Sequence, residues 1–190
     1  MRIHDTALPE VKRVTLDKLS DTRGFFIERY HAEKFHALGI TADFVQVNHS
    51  RSLPRVVRGL HFQHTPAQGK LVGVTRGAIL DIAVDVRPGS ASFGRHVAVE
   101  LSEENAEMLW IPAGFAHGFC VLGDAAADVV YHMSALYAAA GESGIRFDDP
   151  ALAIAWPYAR EEAILSDRDA ALPTLAAMQA HLTTWFESAR

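Results

Sequence analysis

Most of the chain between residues 44 and 134 consists of short segments in which hydrophobic and polar side chains alternate. In residues 79–87 every second position is a large aliphatic side chain, while Asp81 and Asp85 occupy positions between them. A period of two is typical of β-strands, whose successive side chains point to opposite faces of a sheet. The same pattern predicts further strands at residues 44–48, 56–63, 70–75, 96–101, 108–111, 118–122 and 128–134.

Turn sequences separate these strands at intervals of about ten residues. Arg76-Gly77 follows one strand, and residues 88–90 (Pro-Gly-Ser) follow another. Parallel strands need crossover connections of a dozen residues or more, and the connections here are too short for that. The pattern therefore predicts an all-β sandwich or barrel and disfavours a parallel α/β fold.

Helical patterns occur only near the two ends of the chain. Residues 31–38 predict a short helix that stops at Gly39, and alternation in residues 11–19 and 25–30 predicts strands around it. A second helix begins at Pro173. Its apolar stripe comprises Leu175, Met178, Leu182 and Trp185. We expect this stripe to cover a sheet. Because no linker or repeat divides the 190 residues, we expect a single domain spanning residues 1–190.

Composition narrows the classes of partner. The formal net charge of -5 argues against a general binder of nucleic acid or anionic membranes, although a few converging cations could still hold a diphosphate. The single cysteine, Cys120, excludes an internal disulfide and fits a reducing compartment. The N-terminal residues lack an apolar signal-peptide core, and no stretch approaches the length of a membrane span. We therefore expect a cytoplasmic protein.

Polar side chains interrupt the apolar pattern at strand positions. They are Gln46, Asn48, Arg58, His61, Lys70, Asp81 and Tyr131. Burying such groups is costly unless they are paired or bind a ligand. Any one of them could face solvent, but their number predicts a polar cavity inside the sandwich.

His61 is compatible with three roles: a structural histidine, a metal ligand or a general base. The metal alternative would use His61, His64 and His117 in a metal-dependent cupin such as a dioxygenase or metallo-isomerase. However, a cupin metal site needs His-x-His followed closely by Glu. Here Gln63 replaces the second histidine, and no acidic residue follows until Asp81. Because Gln is a poor transition-metal ligand beside imidazole, we expect no metal site.

A general base at His61 would need a carboxylate to orient it, an acid across the cavity and a cation for developing negative charge. Asp169, Tyr131 and Lys70 are candidates for these three roles. Asp169 also has a purely structural explanation, because Ser166-x-x-Asp169 matches a helix capping motif. The residues alone leave these alternatives open.

Strict alternation along residues 58–63 places His61 and Gln63 on one strand face and Arg58 on the other. Gly59 shares the His61 face and leaves room for a substrate. Arg58 could reach the same cavity if the strand bulges at Gly59, so we predict a bulge there.

The ordered set of motifs resembles the nucleotide-sugar 3,5-epimerases, typified by dTDP-4-dehydrorhamnose 3,5-epimerase. The matching segments are residues 23–28, 46–50, 57–63, 70–72, 81–87, 110–119, 131, 148–150, 154–157 and 165–169. Each segment is weak evidence alone, but together and in order they are specific and extend over almost the whole chain.

The resemblance implies a cupin-type jelly-roll barrel with a few short helices, forming a homodimer and using neither a metal nor an organic cofactor. It implies that His61 removes a proton beside the C4 ketone of a nucleotide-linked sugar, supported by Asp169. It further implies that Tyr131 returns a proton on the opposite face and that Lys70 lies near the enolate oxygen.

The resemblance also implies a binding set. Arg23 and Arg58 would hold the diphosphate, and His117 would lie near the sugar. The nucleotide end would be held by Phe26, Glu28, Gln46 and Asn48. The N-terminal strand would reach into the partner subunit. The expected reaction is epimerisation of a 4-keto-6-deoxy sugar at C3, C5 or both, in deoxysugar biosynthesis. Alternatives are a single-centre epimerase, the metal-dependent cupin, and a non-catalytic sugar-nucleotide-binding barrel.

Overall fold

The all-β prediction is confirmed by the computed structural model, which describes residues 1–188. The strands are β1 (Arg2–Asp5), β2 (Lys12–Thr15), β3 (Lys18–Asp21), β4 (Gly24–Ile27), β5 (Gln46–Ser52), β6 (Val57–Gln63), β7 (Lys70–Arg76), β8 (Ala78–Asp85), β9 (His96–Ser102), β10 (Glu107–Ile111), β11 (Phe115–Leu122), β12 (Ala127–Met133) and β13 (Glu142–Gly144). The α-helices are α1 (Ala32–Ala37), α2 (Asp167–Ala170) and α3 (Leu175–Ser188), and a 3-10 turn spans Ala139–Gly141.

Two antiparallel sheets face each other. One has six strands in the order β1-β2-β10-β7-β12-β5, and the other has five in the order β13-β6-β11-β8-β9. Apolar side chains from both inner faces form the main core, including Val72 and Val129 from the first sheet and Ala83 and Phe119 from the second. This is the architecture of a cupin-type jelly roll, as predicted.

Each sheet is covered on its outer face by helical or extended chain. Leu175, Met178 and Leu182 of α3 are buried against the five-stranded sheet, which confirms the predicted apolar stripe. Phe35 of α1 and Ile40 pack on the outer face of the six-stranded sheet. None of the helices within residues 1–188 is long and apolar enough to cross a membrane.

The N-terminal region differs from the predicted strands. Residues 11–19 do not form one strand, because the chain leaves the sheet after β2 and begins a separate hairpin at β3. The second predicted strand, residues 25–30, is shortened to β4 of this hairpin. The two-stranded sheet β3–β4 stands apart from both large sheets and exposes 57% of Phe25 and 65% of Phe26.

The predicted bulge at Gly59 is confirmed. The pairing of β6 with β11 shifts register between His117, which faces His61, and Phe119, which faces Arg58. Gly59 has a φ of +107°, and a Cβ there would lie 2.6 Å from Gly118 Cα on the neighbouring strand. Only glycine fits such a conformation and approach. The bulge therefore allows Arg58 and His61, separated by an odd interval, to line one cavity.

Candidate active site

A polar cavity of about 330 Å³ opens between the two sheets. It is lined by Asn48, Arg58, His61, Phe62, Gln63, Gln68, Lys70, His117, Gly118, Phe119, Tyr131, Met133, Tyr137, Glu142, Ser166, Arg168 and Asp169. The structure thus brings together all four residues proposed for catalysis and three of those proposed for binding. The polar side chains noted in the strands form a site because alternation directs them inward.

His61 and Asp169 form a hydrogen-bonded pair, with 2.6 Å between His61 Nε2 and Asp169 Oδ1. His61 comes from β6, whereas the buried Asp169 comes from α2, which lies 108 residues further along the chain. When Nε2–H donates to the carboxylate, the neutral imidazole carries its free lone pair on Nδ1. That nitrogen can accept a proton, and the carboxylate stabilises the imidazolium that results.

The single turn of α2 fixes the Asp169 carboxylate. Ser166 caps this helix, since its hydroxyl accepts a hydrogen bond of 3.1 Å from the Asp169 backbone amide. Asp169 therefore serves both as part of the helix cap, through its backbone amide, and as the partner of His61, through its carboxylate; we call the His61–Asp169 pair the dyad. Burial opposes ionisation, but hydrogen bonds involving His61, Ser166 and the Gly59 amide outweigh it, so the pKa of the Asp169 carboxyl lies below its ordinary value. The group is a carboxylate at neutral pH.

A second histidine–carboxylate pair lies beside the first. His117 on β11 faces His61 across the strand pair, and its Nε2 is 2.7 Å from Asp81 Oδ1. Both side chains are buried. Burial lowers the pKa of His117 although Asp81 opposes the shift, which favours a neutral imidazole. The binding set implied by the resemblance did not include Asp81, although the alternation along β8 had placed it among the inward polar residues.

Lys70 is a buried cation at the start of β7. Its Nζ donates a hydrogen bond of 3.2 Å to the backbone carbonyl of His61. Burial lowers the pKa of Lys70 to about 8, because the ammonium loses water that Glu142 and Asp81 only partly replace. An ammonium that burial shields from water stabilises a nearby anion more strongly than it would in bulk water.

Tyr131 lines the cavity from the six-stranded sheet, whereas His61 lines it from the five-stranded sheet. On β12 it pairs with Asn48 of β5 on one side and Val72 of β7 on the other. Its ring packs against the main core, so its position is set by apolar neighbours. A base and an acid on opposing sheets can act on opposite faces of one bound molecule.

The other proposed binding residues divide into two groups. Asn48 and Arg58 line the cavity, and Arg58 Nε donates to Ser52 Oγ at 2.9 Å. Gln46 supports the site indirectly, since its Nε2 donates to Asn48 Oδ1 at 2.9 Å.

Arg23, Phe26 and Glu28 do not line this cavity. Arg23 and Phe26 belong to the β3–β4 hairpin, where Arg23 pairs with Asp21. Glu28 follows the hairpin and pairs with Lys34. Within one copy of the chain, the three residues therefore lie outside the set that surrounds His61.

Sequence reasoning missed four further cavity-lining residues, which we call the mouth of the cavity because two of them, Tyr137 and Arg168, are exposed to solvent: Gln63, Tyr137, Glu142 and Arg168. Buried Gln63 donates to the backbone carbonyls of Pro66 and Leu136 and accepts from the Ala138 amide. The Tyr137 hydroxyl donates to Glu142 Oε2 at 2.9 Å. Arg168 lies 2.8 Å from the same oxygen. Only the inward position of Gln63 beside His61 could have signalled this arrangement, because the other contacts join distant loops.

The histidines of the metal alternative have other partners. Nε2 of His61 and Nε2 of His117 each face a carboxylate, and His64 stacks on Trp185 with ring centroids 3.9 Å apart. Among the side chains that the structure describes, those of residues 1–186, no group of three or more His, Cys, Asp or Glu is arranged to hold a metal ion.

Comparison with known proteins gives one consistent result. The family model described as dTDP-4-dehydrorhamnose 3,5-epimerase matches residues 5–177. A dTDP-4-dehydrorhamnose 3,5-epimerase of Escherichia coli K12 is 46% identical over 177 residues, covering 92% of this chain and 95% of that protein. One of Neisseria gonorrhoeae is 47% identical over 176 residues, covering 93% of this chain but 53% of that protein, so the chain spans about half of that relative's length.

A solved structure agrees with these relatives. The dTDP-6-deoxy-D-glucose-3,5-epimerase of Legionella pneumophila Philadelphia 1, in complex with dTDP-4-keto-L-rhamnose, is 46% identical and superposes with a TM-score of 0.91. The superposition covers 95% of this chain and 96% of that one. The comparisons favour the epimerase prediction over the metal-dependent cupin.

Proposed function

Because the chain belongs to the dTDP-4-dehydrorhamnose 3,5-epimerase family, we propose that it epimerises a nucleoside-diphosphate-linked 4-keto-6-deoxy sugar at C3 and C5. The substrate is dTDP-4-dehydro-6-deoxyglucose, and the reaction serves deoxysugar biosynthesis. The observation that carries this proposal is the 2.6 Å pair of His61 with buried Asp169 in a polar cavity.

The reaction begins with removal of a proton from carbon next to the C4 ketone. Nδ1 of His61 takes the proton, and Asp169 stabilises the imidazolium. A positioned base of this kind contributes about 10²–10⁴-fold to the rate. Because imidazolium exists only after proton transfer, Asp169 acts mainly on kcat and little on substrate binding.

The electron pair left by the proton moves into the ketone and forms an enolate. Lys70 supplies the charge that stabilises its oxygen, and its burial supports this role because the ammonium need not reorganise during the reaction. Tyr131 then donates its phenolic proton to the opposite face of the carbon. Removal on one face and return on the other inverts the centre. His61 then gives its proton to solvent and Tyr131 regains one from solvent, after which the same residues act at the second carbon.

The remaining cavity residues hold the substrate. Arg58 binds the diphosphate, His117 contacts the sugar, and Gln46 with Asn48 holds the nucleotide end. None of these roles requires a metal or an organic cofactor.

We also propose that the chain is a single domain that works as a cytoplasmic homodimer. Arg23, Phe26 and Glu28 then reach the nucleotide in the partner's cavity. The exposed apolar side chains of the hairpin and of the β5 edge support this assembly, since Leu19 is 64% exposed and Val47 58%. Cytoplasmic location fits the single cysteine and a nucleotide-linked substrate.

Solvent-exchange NMR tests the function. Purified enzyme is incubated in D₂O with dTDP-4-keto-6-deoxyglucose, and the sugar is followed by ¹H NMR until equilibrium. We expect deuterium at both C3 and C5 and a product with both centres inverted. Absence of deuterium at both carbons would refute the proposal, whereas deuterium at one carbon alone would support the single-centre alternative. A panel of related nucleotide-linked 4-keto sugars identifies the preferred substrate.

A further inference from the structure

The C-terminal helix packs directly behind the strand that carries His61. The family match ends at residue 177, whereas α3 continues to Ser188. Leu60 and Phe62, which flank His61 along β6, share one buried cluster with Leu182 of α3. The extension of the helix therefore supports the outer face of the strand whose inner face forms the cavity.

Trp185, near the end of this extension, stacks on His64. The two rings are 3.9 Å apart between centroids and only 7° from parallel. The ring centroid of Trp185 also lies 6.2 Å from that of Phe62 and 5.6 Å from that of His181, which is on the previous helical turn. Aromatic pairs with such geometry stabilise a packed arrangement beyond the area that they bury.

His64 begins the turn that follows β6 and leads to β7. The His64 backbone amide donates to the carbonyl of Gly141 at 2.9 Å. Gly141 fits closely against Thr65, since a Cβ at Gly141 would lie 1.8 Å from the Thr65 carbonyl oxygen. Gly141 directly precedes Glu142, the carboxylate that holds Tyr137 and Arg168.

The same turn anchors the side chain of Gln63. Gln63 Nε2 donates to the Pro66 carbonyl at 2.8 Å and to the Leu136 carbonyl at 3.1 Å. A displacement of the turn at residues 64–66 would therefore move Gln63 through its bond to Pro66, and would move Glu142 through the contacts of the turn with Gly141. His61, two residues before Gln63, is held separately by Asp169.

We propose that Trp185 is a remote positioning residue: its stack on His64 fixes the turn at residues 64–66 and so keeps the mouth of the cavity shaped for the sugar nucleotide. The inference rests on the proposed function for its kinetic consequence. Because the His61–Asp169 hydrogen bond includes no residue of the turn, loss of the stack weakens substrate binding more than it slows proton transfer.

Three variants test the proposal. Trp185→Ala removes the stack, and Trp185→Phe retains a ring that can stack. Phe186→Ala is the matched control, because Phe186 packs on the same cluster from the same helix but lies beside Gly114, away from the turn. Each variant is compared with wild type for KM and kcat in the epimerisation assay and for hydrogen exchange of the His64 backbone amide.

We expect Trp185→Ala to raise KM by about three- to tenfold, from the size of an aromatic pair, with kcat within about twofold. The His64 amide should exchange faster in this variant, whereas Trp185→Phe restores both readouts and Phe186→Ala leaves both near wild type. Equal effects of Trp185→Ala and Phe186→Ala would overturn the proposal, as would unchanged amide exchange in Trp185→Ala. If wild type itself fails to epimerise the sugar, the proposed function fails, and the exchange data alone decide whether Trp185 fixes the turn.

Discussion

Replacing Asp169 by Asn tests the histidine–carboxylate pair with little change in shape. The substitution keeps the size of a side chain that is almost fully buried and removes the charge 2.6 Å from His61 Nε2. A hydrogen bond to a charged group contributes about 1.5–3 kcal/mol, which corresponds to roughly 10- to 150-fold in rate. Because the pair is buried, we expect a loss near the upper end, about 100-fold in kcat. KM should change little, since the imidazolium forms only after substrate has bound.

The assay is the initial rate of deuterium incorporation into dTDP-4-keto-6-deoxyglucose at saturating substrate. The helix cap should be retained, because Ser166 accepts from the Asp169 backbone amide. The hydrogen bonds that the carboxylate makes with Ser166 and the Gly59 amide do change, so the urea unfolding curve of the variant is measured beside its rate. Asp167→Asn is the matched control, since Asp167 lies exposed on the same helical turn. An Asp169→Asn enzyme whose kcat stays within about twofold of wild type would refute the dyad, because the lost hydrogen bond alone is worth more.

Three further predictions follow from the same geometry. Because the pKa of Lys70 is about 8, its ammonium is present below that pH and lost above it, so kcat/KM should fall as pH rises through about 8. Lys70→Arg should shift this fall to a higher pH. A fall at the same pH in the variant would show that another group causes it. Tyr131→Phe should retain deuterium exchange, while the rate of net inversion falls at least about tenfold. The reason is that His61 can return a proton only to the face of the carbon from which it removed one. Inversion at the wild-type rate would exclude Tyr131 as the acid. Gly59→Ala should lower the free energy of unfolding in urea by about 1–3 kcal/mol or more, since alanine must adopt a positive φ and also meets Gly118. Gly123→Ala should lower the free energy of unfolding by less, because Gly123 has a φ of +72° but open space around it. Equal losses in the two variants would contradict the role of the close contact between Gly59 and Gly118.

Alternation predicted most of the fold because the two faces of a strand such as β8 pack against different neighbours and carry different kinds of side chain. The apolar set of residues 80–86 lies against α3 or its neighbours, while Ala83 joins the inner core. The prediction was wrong where the chain leaves the six-stranded sheet. Residues 11–19 divide between β2 of that sheet and β3 of the hairpin, and residues 25–30 continue beyond the exposed hairpin strand β4. Short elements such as β13 and α2 were not predicted because three or four residues carry no periodic signal.

The inner half of the site could be predicted because strand geometry points alternate residues into one space. His61, Lys70, Asp81 and Tyr131 were all identified from inward polar positions. The pairing of His61 with Asp169 could not be predicted from periodicity, because the two residues are 108 positions apart and Asp169 is itself part of a helix capping motif. It came from the resemblance.

The outer half depends on tertiary contacts with no local pattern. Glu142 holds Tyr137 and Arg168 across three separate segments, and Gln63 bridges two loops through backbone groups. Backbone acceptors are available at every residue, so the sequence does not indicate which of them a glutamine will find.

The central claim is that His61 removes the proton beside the C4 ketone. Its most direct test is site-resolved deuterium incorporation in D₂O for wild type and for His61→Ala, measured side by side with dTDP-4-keto-6-deoxyglucose. Wild type should incorporate deuterium at both C3 and C5, and His61→Ala should lose incorporation at both carbons while still binding dTDP. Exchange by His61→Ala at either carbon near the wild-type rate would contradict the claim.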